Sequence, residues 1–236
     1  MADNILLKYY TYLKFERNFT DNSVSAYMSD IGKLQKFAEA KDKTLLTLEQ
    51  YDIEEFIAGL NDLGIEATSQ KRILVGARSF YKFARLSNLT NDDPTELIES
   101  PKLGEHLPVV LTVEEVDRII AAADPSTIDG QRNRAILETL YSCGLRVSEL
   151  IDLRFSNIYA EEGYISVFGK GRKQRIVPIA PSALQEIRNC TAFRYELDVK
   201  HGFEDYVFLN RFGRKLSRIM VFNIVKRYCT EAGIHK

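Results

Sequence analysis

Apolar residues recur at helical spacing through the first hundred residues. The pattern predicts four helices, at residues 3–18, about 21–37, 49–60 and 69–86. Helix-breaking residues at 61–64 separate the third helix from the fourth. In the fourth helix the apolar positions share one side, and the opposite side carries Lys71, Arg78, Lys82 and Arg85. With no strand-like alternation, residues 1–100 are predicted to form a small all-helical domain.

A polar passage with proline and glycine, residues 101–110, predicts a linker to a second domain at 111–236. Thr112 and Glu115 form a capping box before a predicted helix. The pattern predicts helices at 113–123, 132–141, from 147, at 181–197 and at 217–230, and strands at 164–168, 175–179 and 207–209. The predicted fold is mainly α with a small antiparallel β-sheet, in which an all-helical domain precedes an α+β domain.

Composition excludes several classes of protein. The 45% hydrophobic and 28% charged residues are typical of a soluble protein, no apolar run approaches a bilayer span, and the N-terminus lacks a signal-peptide pattern. The three cysteines, Cys143, Cys190 and Cys229, are far apart, which argues against a disulfide framework or a zinc site. We therefore expect a cytoplasmic protein with no membrane partner and no metal.

The net charge of −1 hides an asymmetry along the chain. Residues 1–100 carry 12 Lys and Arg against 16 Asp and Glu, whereas the remaining residues carry 20 against 17. Basic residues cluster at 71–85, 170–175 and 211–227. Such clusters matter more than the total because attraction to phosphate decays over about 8–10 Å. The basic side of the fourth helix is either a solvated face or a DNA-contacting face whose leading end carries Ser69, Lys71 and Arg72.

Two glycine-containing stretches carry candidate chemistry. Arg146 lies just after Gly144, at the joint between two predicted helices, and Lys170 lies on a glycine-rich turn between two predicted strands. Both are cations on backbone that can approach a phosphate closely, which suggests phosphodiester chemistry. Taken singly, each has a plainer interpretation, as a charge at a helix end or as an ordinary hairpin turn. Glu149, one helical turn after Arg146, either orients that arginine or is a surface glutamate.

The two stretches resemble motifs of the tyrosine site-specific recombinases. Residues 133–150 are similar to the family's first-arginine motif, and residues 167–179 are similar to its catalytic-lysine hairpin. The passage 93–112 is similar to the Xer branch of the family, and the resemblance covers essentially the whole chain. It implies a two-domain clamp around double-stranded DNA, with the helices at 23–37 and 69–86 at the major groove.

The resemblance also implies a mechanism that needs no cofactor and no metal. A tyrosine attacks the scissile phosphate and leaves a 3′-phosphotyrosyl protein and a free 5′-hydroxyl. In this scheme Arg146 holds the non-bridging phosphate oxygens, Lys170 is the general acid and Glu149 is the candidate to orient Arg146. The expected DNA-binding residues are Ser69, Lys71, Arg72, Arg78, Lys82, Arg172, Lys173 and Arg175.

The sequence departs from the family pattern in one respect. The family's His-x-x-Arg motif, a later His or Trp and the nucleophilic tyrosine follow the lysine hairpin, whereas this sequence stops at residues 233–236, where they should begin. The sequence has 12 tyrosines, and none occupies the position of the nucleophile. We therefore expect a truncated recombinase with an incomplete catalytic domain, which binds DNA but is inactive alone.

The leading functional hypothesis is recombination that resolves chromosome dimers at cell division. The expected partners are double-stranded DNA, further recombinase protomers in a tetramer on two DNA sites, and a cell-division DNA translocase. The alternatives are the integrase of a mobile element and a non-catalytic, truncated DNA-binding regulator.

Overall fold

The chain divides into two compact units, each with its own hydrophobic core. The computed structural model describes residues 2–101, 104, 109–169, 171 and 173–236. The first unit covers Met1–Leu107 and the second Pro108–Lys236. The structure confirms the predicted fold class, because both units are mainly helical and one small antiparallel sheet lies in the second.

The described part of the first unit is helical. Its helices are α1 (Ala2–Thr11), which continues as a π-helical turn (Tyr12–Glu16), α2 (Asp21–Ala40), α3 (Gln50–Asp62) and α4 (Ala67–Leu86). Their apolar faces meet in one core in which Tyr9, Leu34, Ile53 and Phe80 are fully buried. The helical periodicity of the sequence therefore reports the faces that pack together.

Helices α2 and α4 lie close together at Asp30 and Gly76. A Cβ atom on Gly76 would lie 2.9 Å from the Cβ of Asp30, so any larger residue at this position would force the helices apart. Asp30 is only 3% exposed, and its carboxylate binds Arg72 of α4 and Lys33 of α2. The contact therefore places a buried carboxylate beneath a basic side chain of α4.

The second unit packs helices around a three-stranded antiparallel sheet. The helices are α5 (Val113–Ala121), α6 (Ile128–Cys143), α7 (Val147–Ile151), α8 (Pro181–Ala192) and α9 (Arg218–Glu231), and the strands are β1 (Ile158–Tyr159), β2 (Tyr164–Phe168) and β3 (Gln174–Pro178). The strand order is β1-β2-β3, and β2 pairs with β3 from Tyr164↔Pro178 to Phe168↔Gln174. The cross-strand pair Ile165 and Val177 is buried in the core of this unit.

The structure corrects three predicted elements. Helix α6 begins at Ile128 because the Thr127 hydroxyl accepts the N–H of Gly130 and caps it earlier than the apolar pattern indicated. Helix α8 ends at Ala192, and a separate 3-10 turn follows at Arg194–Glu196. The predicted strand at 207–209 is wrong. Residues 207–209 are buried, but they form no strand. Leu209 makes one isolated bridge to Lys215, and the preceding Tyr206 makes one to Arg154.

Within the described ranges, no helix has the length and apolar character needed to cross a bilayer.

Gly76→Ala should destabilise the first unit, because the added methyl group meets the Cβ of Asp30. Gly32→Ala in α2 is the matched control, since a Cβ atom there would have no neighbour within 4 Å. Both changes gain about 0.5–1 kcal/mol of helix propensity, but only Gly76→Ala incurs an overpacking cost of about 1–3 kcal/mol. Urea unfolding followed by circular dichroism should rank Gly32→Ala above wild type and Gly76→Ala at least about 1 kcal/mol below Gly32→Ala. Equal stability of the two variants would contradict the close crossing.

Candidate active site

Arg146 lies at a joint that Gly144 creates. Gly144 ends α6 in the left-handed conformation, at φ 55° and ψ 38°, and its N–H donates to the carbonyl of Leu140 at 3.0 Å. The backbone then extends, and Arg146 occupies the position immediately before α7 at φ −68° and ψ 149°. Because glycine adopts the left-handed region without strain, this joint turns the chain sharply and places an arginine at the start of a helix.

Glu149 lies beneath this arginine and collects three hydrogen bonds. Its Oε1 accepts from the Nη1 of Arg146 at 3.0 Å, and its Oε2 accepts from the backbone N–H of Arg146 at 2.8 Å. Oε2 also accepts from the Nη2 of Arg175, on β3, at 2.8 Å. The side chain of Glu149 is 2% exposed, whereas those of Arg146 and Arg175 are 67% and 41% exposed. A buried carboxylate therefore holds two arginines that both face solvent.

The three bonds determine the charge state of Glu149. Burial alone would raise the pKa of this carboxyl group, but the hydrogen bonds from Arg175 and from the backbone and side chain of Arg146 outweigh it and lower the pKa below its usual value. Glu149 is therefore a carboxylate at neutral pH. Because Arg146 uses one Nη1 donor on Glu149 and has no other protein acceptor in the described part of the chain, the rest of its guanidinium can bind an anion.

The turn between β2 and β3 begins beside Arg146 and Glu149. The N–H of Gly169 donates to the carbonyl of Lys173 at 2.8 Å, and Gly171 has a φ of +76°. A Cβ atom on Gly169 would lie 3.6 Å from the Oε1 of Glu149 and 3.9 Å from the Nη1 of Arg146. The two motifs of the sequence are therefore adjacent in space at Gly169. Lys170 and Arg172, the predicted general acid and a predicted phosphate contact, lie outside the described residues.

A further hydrogen bond fixes the elements that carry the site. The N–H of Ala180, just after β3, donates to the hydroxyl of Ser142 near the end of α6 at 2.7 Å. Cys143 is buried in the same core, and burial raises the pKa of its thiol, as expected for a packing residue. The end of α6 and the end of β3 are thus tied together, and this supports the contact between Glu149 and Arg175.

The predicted DNA-binding residues of α4 occupy different environments. Lys71 and Lys82 are exposed, and Ser69 is half-buried near the start of the helix. Arg72 is half-exposed and bound to the buried Asp30. Arg78 is half-buried and donates to the carbonyl of Ile98 and the hydroxyl of Ser100.

Of the predicted contacts in the second unit, Lys173 is exposed and Arg175 is bound to Glu149. The structure therefore brings together Arg146, Glu149 and Arg175, whereas the residues of α4 belong to the other compact unit.

The sequence interpretation overlooked Asp30, although a signal was present. Asp30 lies one helical turn from Tyr27 and from Leu34, within the apolar face of α2. A carboxylate on an apolar face is a buried charge that needs a partner, and an unpaired basic residue elsewhere is the natural candidate.

Among the described residues, no group of three or more His, Cys, Asp or Glu side chains is arranged to hold a metal ion.

Family comparisons cover both units. The phage integrase family matches residues 109–236, and the phage integrase N-terminal SAM-like domain matches residues 6–88. The chain belongs to the phage integrase family. Tyrosine recombinase XerD of Chlorobaculum tepidum is 36% identical over 95% of this chain and 75% of its own length, and XerD of Staphylococcus haemolyticus is 34% identical over 99% and 80%. These relatives confirm the resemblance to the Xer-type tyrosine recombinases.

Solved structures show the same fold at lower identity. A lambda integrase dimer bound to a COC′ core site matches with a TM-score of 0.76 at 20% identity, over 99% of this chain and 82% of that one. The XerH recombinase bound to a palindromic difH substrate, in a post-cleavage complex, matches with a TM-score of 0.75 at 20% identity, over 93% and 65%. At this identity the likeness establishes the fold.

Glu149→Gln should destabilise the second unit in a pH-dependent way. The amide cannot hold both arginines as a carboxylate does, so we expect a loss of about 1.5–3 kcal/mol at pH 7. Because the pKa of Glu149 is lowered on folding, its stabilisation is full above its unfolded pKa of about 4.3 and is lost as the pH falls through the lower folded value. Urea unfolding at neutral and strongly acidic pH should show a difference from wild type that shrinks in acid.

The control for this change is Glu162→Gln, which alters an exposed glutamate between β1 and β2 and should change stability by less than about 0.5 kcal/mol. A Glu149→Gln deficit that stays constant down to acidic pH would show that the charge of Glu149 is not what stabilises the site.

Proposed function

We propose that this chain recognises a double-stranded DNA site and supplies the phosphate-binding part of a site-specific tyrosine recombinase. The observation that carries the proposal is the exposed guanidinium of Arg146, which the buried Glu149 holds at 3.0 Å beside the start of the β2–β3 turn. Membership of the phage integrase family and the XerD relatives support the same reaction class.

The proposed role of Arg146 is to bind the scissile phosphate. A guanidinium can donate two parallel hydrogen bonds to the non-bridging oxygens, whose charge grows in the pentacoordinate transition state. Because Glu149 fixes one side of the guanidinium before DNA arrives, little ordering remains to be done in the reaction. Removal of one such preorganised donor typically raises a barrier by about 3–4 kcal/mol. A lysine could not replace the paired donors.

Lys170 is the proposed general acid for the departing 5′-oxygen. The argument rests on the family motif and on its chain neighbour Gly169, which lies against Arg146 and Glu149. Lys173 and Arg172 are proposed contacts to the DNA backbone. A positioned acid typically contributes 10²–10⁴-fold to a proton-transfer step, so Lys170 and Arg146 would share the work of cleavage.

The proposed reaction passes through a 3′-phosphotyrosyl intermediate. The tyrosine oxygen forms a bond to phosphorus as the bond to the 5′-oxygen breaks, and Lys170 donates a proton to that leaving oxygen. A second 5′-hydroxyl then displaces the tyrosine, so the phosphoester energy is conserved without ATP. None of the 12 tyrosines in this sequence follows a His-x-x-Arg motif, so none of them is proposed as the nucleophile.

The first unit is the proposed core-binding half, with α2 and α4 at the major groove. Lys71 and Lys82 are exposed on α4, and Arg72 presents its guanidinium from the buried Asp30. The neutralisation of phosphates by such residues gives affinity that falls steeply with salt.

The proposed biological role is resolution of chromosome dimers, with further recombinase protomers and a cell-division DNA translocase as partners in the cytoplasm. The XerD relatives favour this role over that of a mobile-element integrase.

The test of this proposal is selection of bound duplexes from a random library at about 50 and about 200 mM salt. We expect enrichment of a defined half-site, because side chains of α2 and α4 would read base edges while basic residues neutralise phosphates. A single genomic locus for that half-site would support dimer resolution, whereas sites at the ends of an element would indicate an integrase. No retention at either salt concentration would contradict the DNA-binding role.

Variants of α4 test whether its basic side chains neutralise DNA phosphates. The pair Lys71→Gln and Lys82→Gln should weaken binding to all duplexes and reduce the salt slope by about one per residue. Lys8→Gln removes the same charge from an exposed position on α1 and should leave the slope unchanged. Equal slopes for both sets of variants would show that the basic side of α4 is only a solvated face.

A second prediction concerns covalent chemistry. On a nicked duplex that carries the selected half-site, the 236-residue polypeptide should bind without forming an adduct, because its sequence lacks a tyrosine in the family context. A denaturing gel reports the result directly. An adduct that survives denaturation would refute this prediction, and mapping of the attached residue would identify the nucleophile.

A further inference from the structure

Arg175 differs from an ordinary phosphate contact because a protein group already binds its guanidinium. Its Nη2 donates to the Oε2 of the buried Glu149 at 2.8 Å, although the side chain of Arg175 is 41% exposed. We propose that Arg175 is a positioning residue, which acts through Glu149 to fix the phosphate-binding guanidinium of Arg146. This inference rests on the proposed function, because it assigns Arg175 a part in the same site.

The first step of the argument is the distribution of donors on the carboxylate. Oε2 of Glu149 accepts both the backbone N–H of Arg146 and the Nη2 of Arg175, and Oε1 accepts the Nη1 of Arg146. The two bonds on Oε2 come from different elements, because Arg146 lies immediately before α7 and Arg175 is the second residue of β3. Together they fix the plane of the carboxylate, so that Oε1 faces Arg146 in a defined direction.

The second step concerns what remains without Arg175. Among the described residues, the carboxylate would then be bound only by Arg146, which occupies the capping position before α7. The side chain of Arg146 is 67% exposed, and nothing else in the described residues accepts from it. The bond from Nη1 of Arg146 would then end on a carboxylate that can itself turn. The side chain of Arg146 could sample other rotamers, and ordering it on DNA would cost conformational entropy.

The third step is that the anchor of Arg175 is rigid. Arg175 pairs with Val167 in the β2–β3 ladder, and Val177, two residues further along β3, is buried in the core. The same two strands lead into the turn that starts at Gly169, which lies against Glu149 and Arg146. Arg175 therefore couples the guanidinium of Arg146 to the strands that carry the lysine turn.

The experiment measures how much the charge of one phosphate contributes to the affinity of the protein for DNA. Binding is compared between the selected half-site duplex and duplexes in which single phosphates are replaced by neutral methylphosphonates. The phosphate to use is the one whose neutralisation weakens wild-type binding but not binding by Arg146→Ala. For wild type we expect a loss on the order of tenfold at this phosphate, as for a hydrogen bond between charged groups.

The measured quantity is the ratio of the affinity for the unmodified duplex to the affinity for the duplex with the neutral phosphate. Arg175→Gln should reduce this ratio to below about threefold while leaving the affinity for the neutral duplex within about twofold of wild type. Arg175→Lys retains a charged donor, without the planar geometry, and should give an intermediate ratio. Arg188→Gln removes the same charge from an exposed position on α8 and should keep the wild-type ratio. A merely structural role for Arg175 would not change the ratio selectively at one phosphate.

Each outcome has a defined meaning. A wild-type ratio in Arg175→Gln overturns the inference, and so does an equal loss of affinity for both duplexes, since the latter describes an ordinary backbone contact. If circular dichroism shows that Arg175→Gln is unfolded, Arg175→Lys decides the matter, and an unchanged ratio there overturns the inference. If no phosphate distinguishes wild type from Arg146→Ala, the proposed function fails instead, which separates the two failures.

Discussion

The arrangement of the second unit depends on one buried carboxylate. Glu149 has been removed from water, and this is favourable only because three donors from two elements replace the lost hydration. The joint at Gly144, the pairing of β3 and the hydrogen bond from Ala180 to Ser142 all bring those donors to the same point. The result is a site in which one carboxylate holds two guanidinium groups.

The first unit uses a similar contact at the crossing of α2 and α4. Asp30 is buried to the same degree as Glu149 and binds the half-exposed Arg72. In both units an acid inside the core holds an arginine whose charged group reaches solvent. The close approach at Gly76 is what brings α2 near enough for Asp30 to reach α4. Such pairs contribute geometry more than stability, because desolvation offsets much of their Coulomb attraction.

These contacts explain how a chain with a net charge of −1 can present exposed cationic groups. The acids that lower the net charge include Asp30 and Glu149, which are buried, whereas their basic partners are exposed. At both places the guanidinium is the solvent-exposed charge, and the carboxylate lies beneath it in the core. Net charge describes the whole molecule, but the local field depends on which sign of charge is exposed.

Local sequence patterns were enough to predict that both units contain helices, and to predict the hairpin and the turn at Gly144, although the bounds of α6 and α8 differed. These elements depend on local periodicity and on the conformational freedom of glycine, which neighbouring residues encode. The sequence also placed Glu149 near Arg146, since a separation of three residues brings side chains together on a helix.

The partners of Arg175 and Arg72 depend on tertiary packing. Arg175 and Glu149 are 26 residues apart, and Arg72 and Asp30 are 42 residues apart. Packing also decided that the buried residues 207–209 form no ladder strand, since their apolar pattern fits either outcome. Contacts between distant elements depend on how helices and strands pack, and local sequence preferences do not specify that packing.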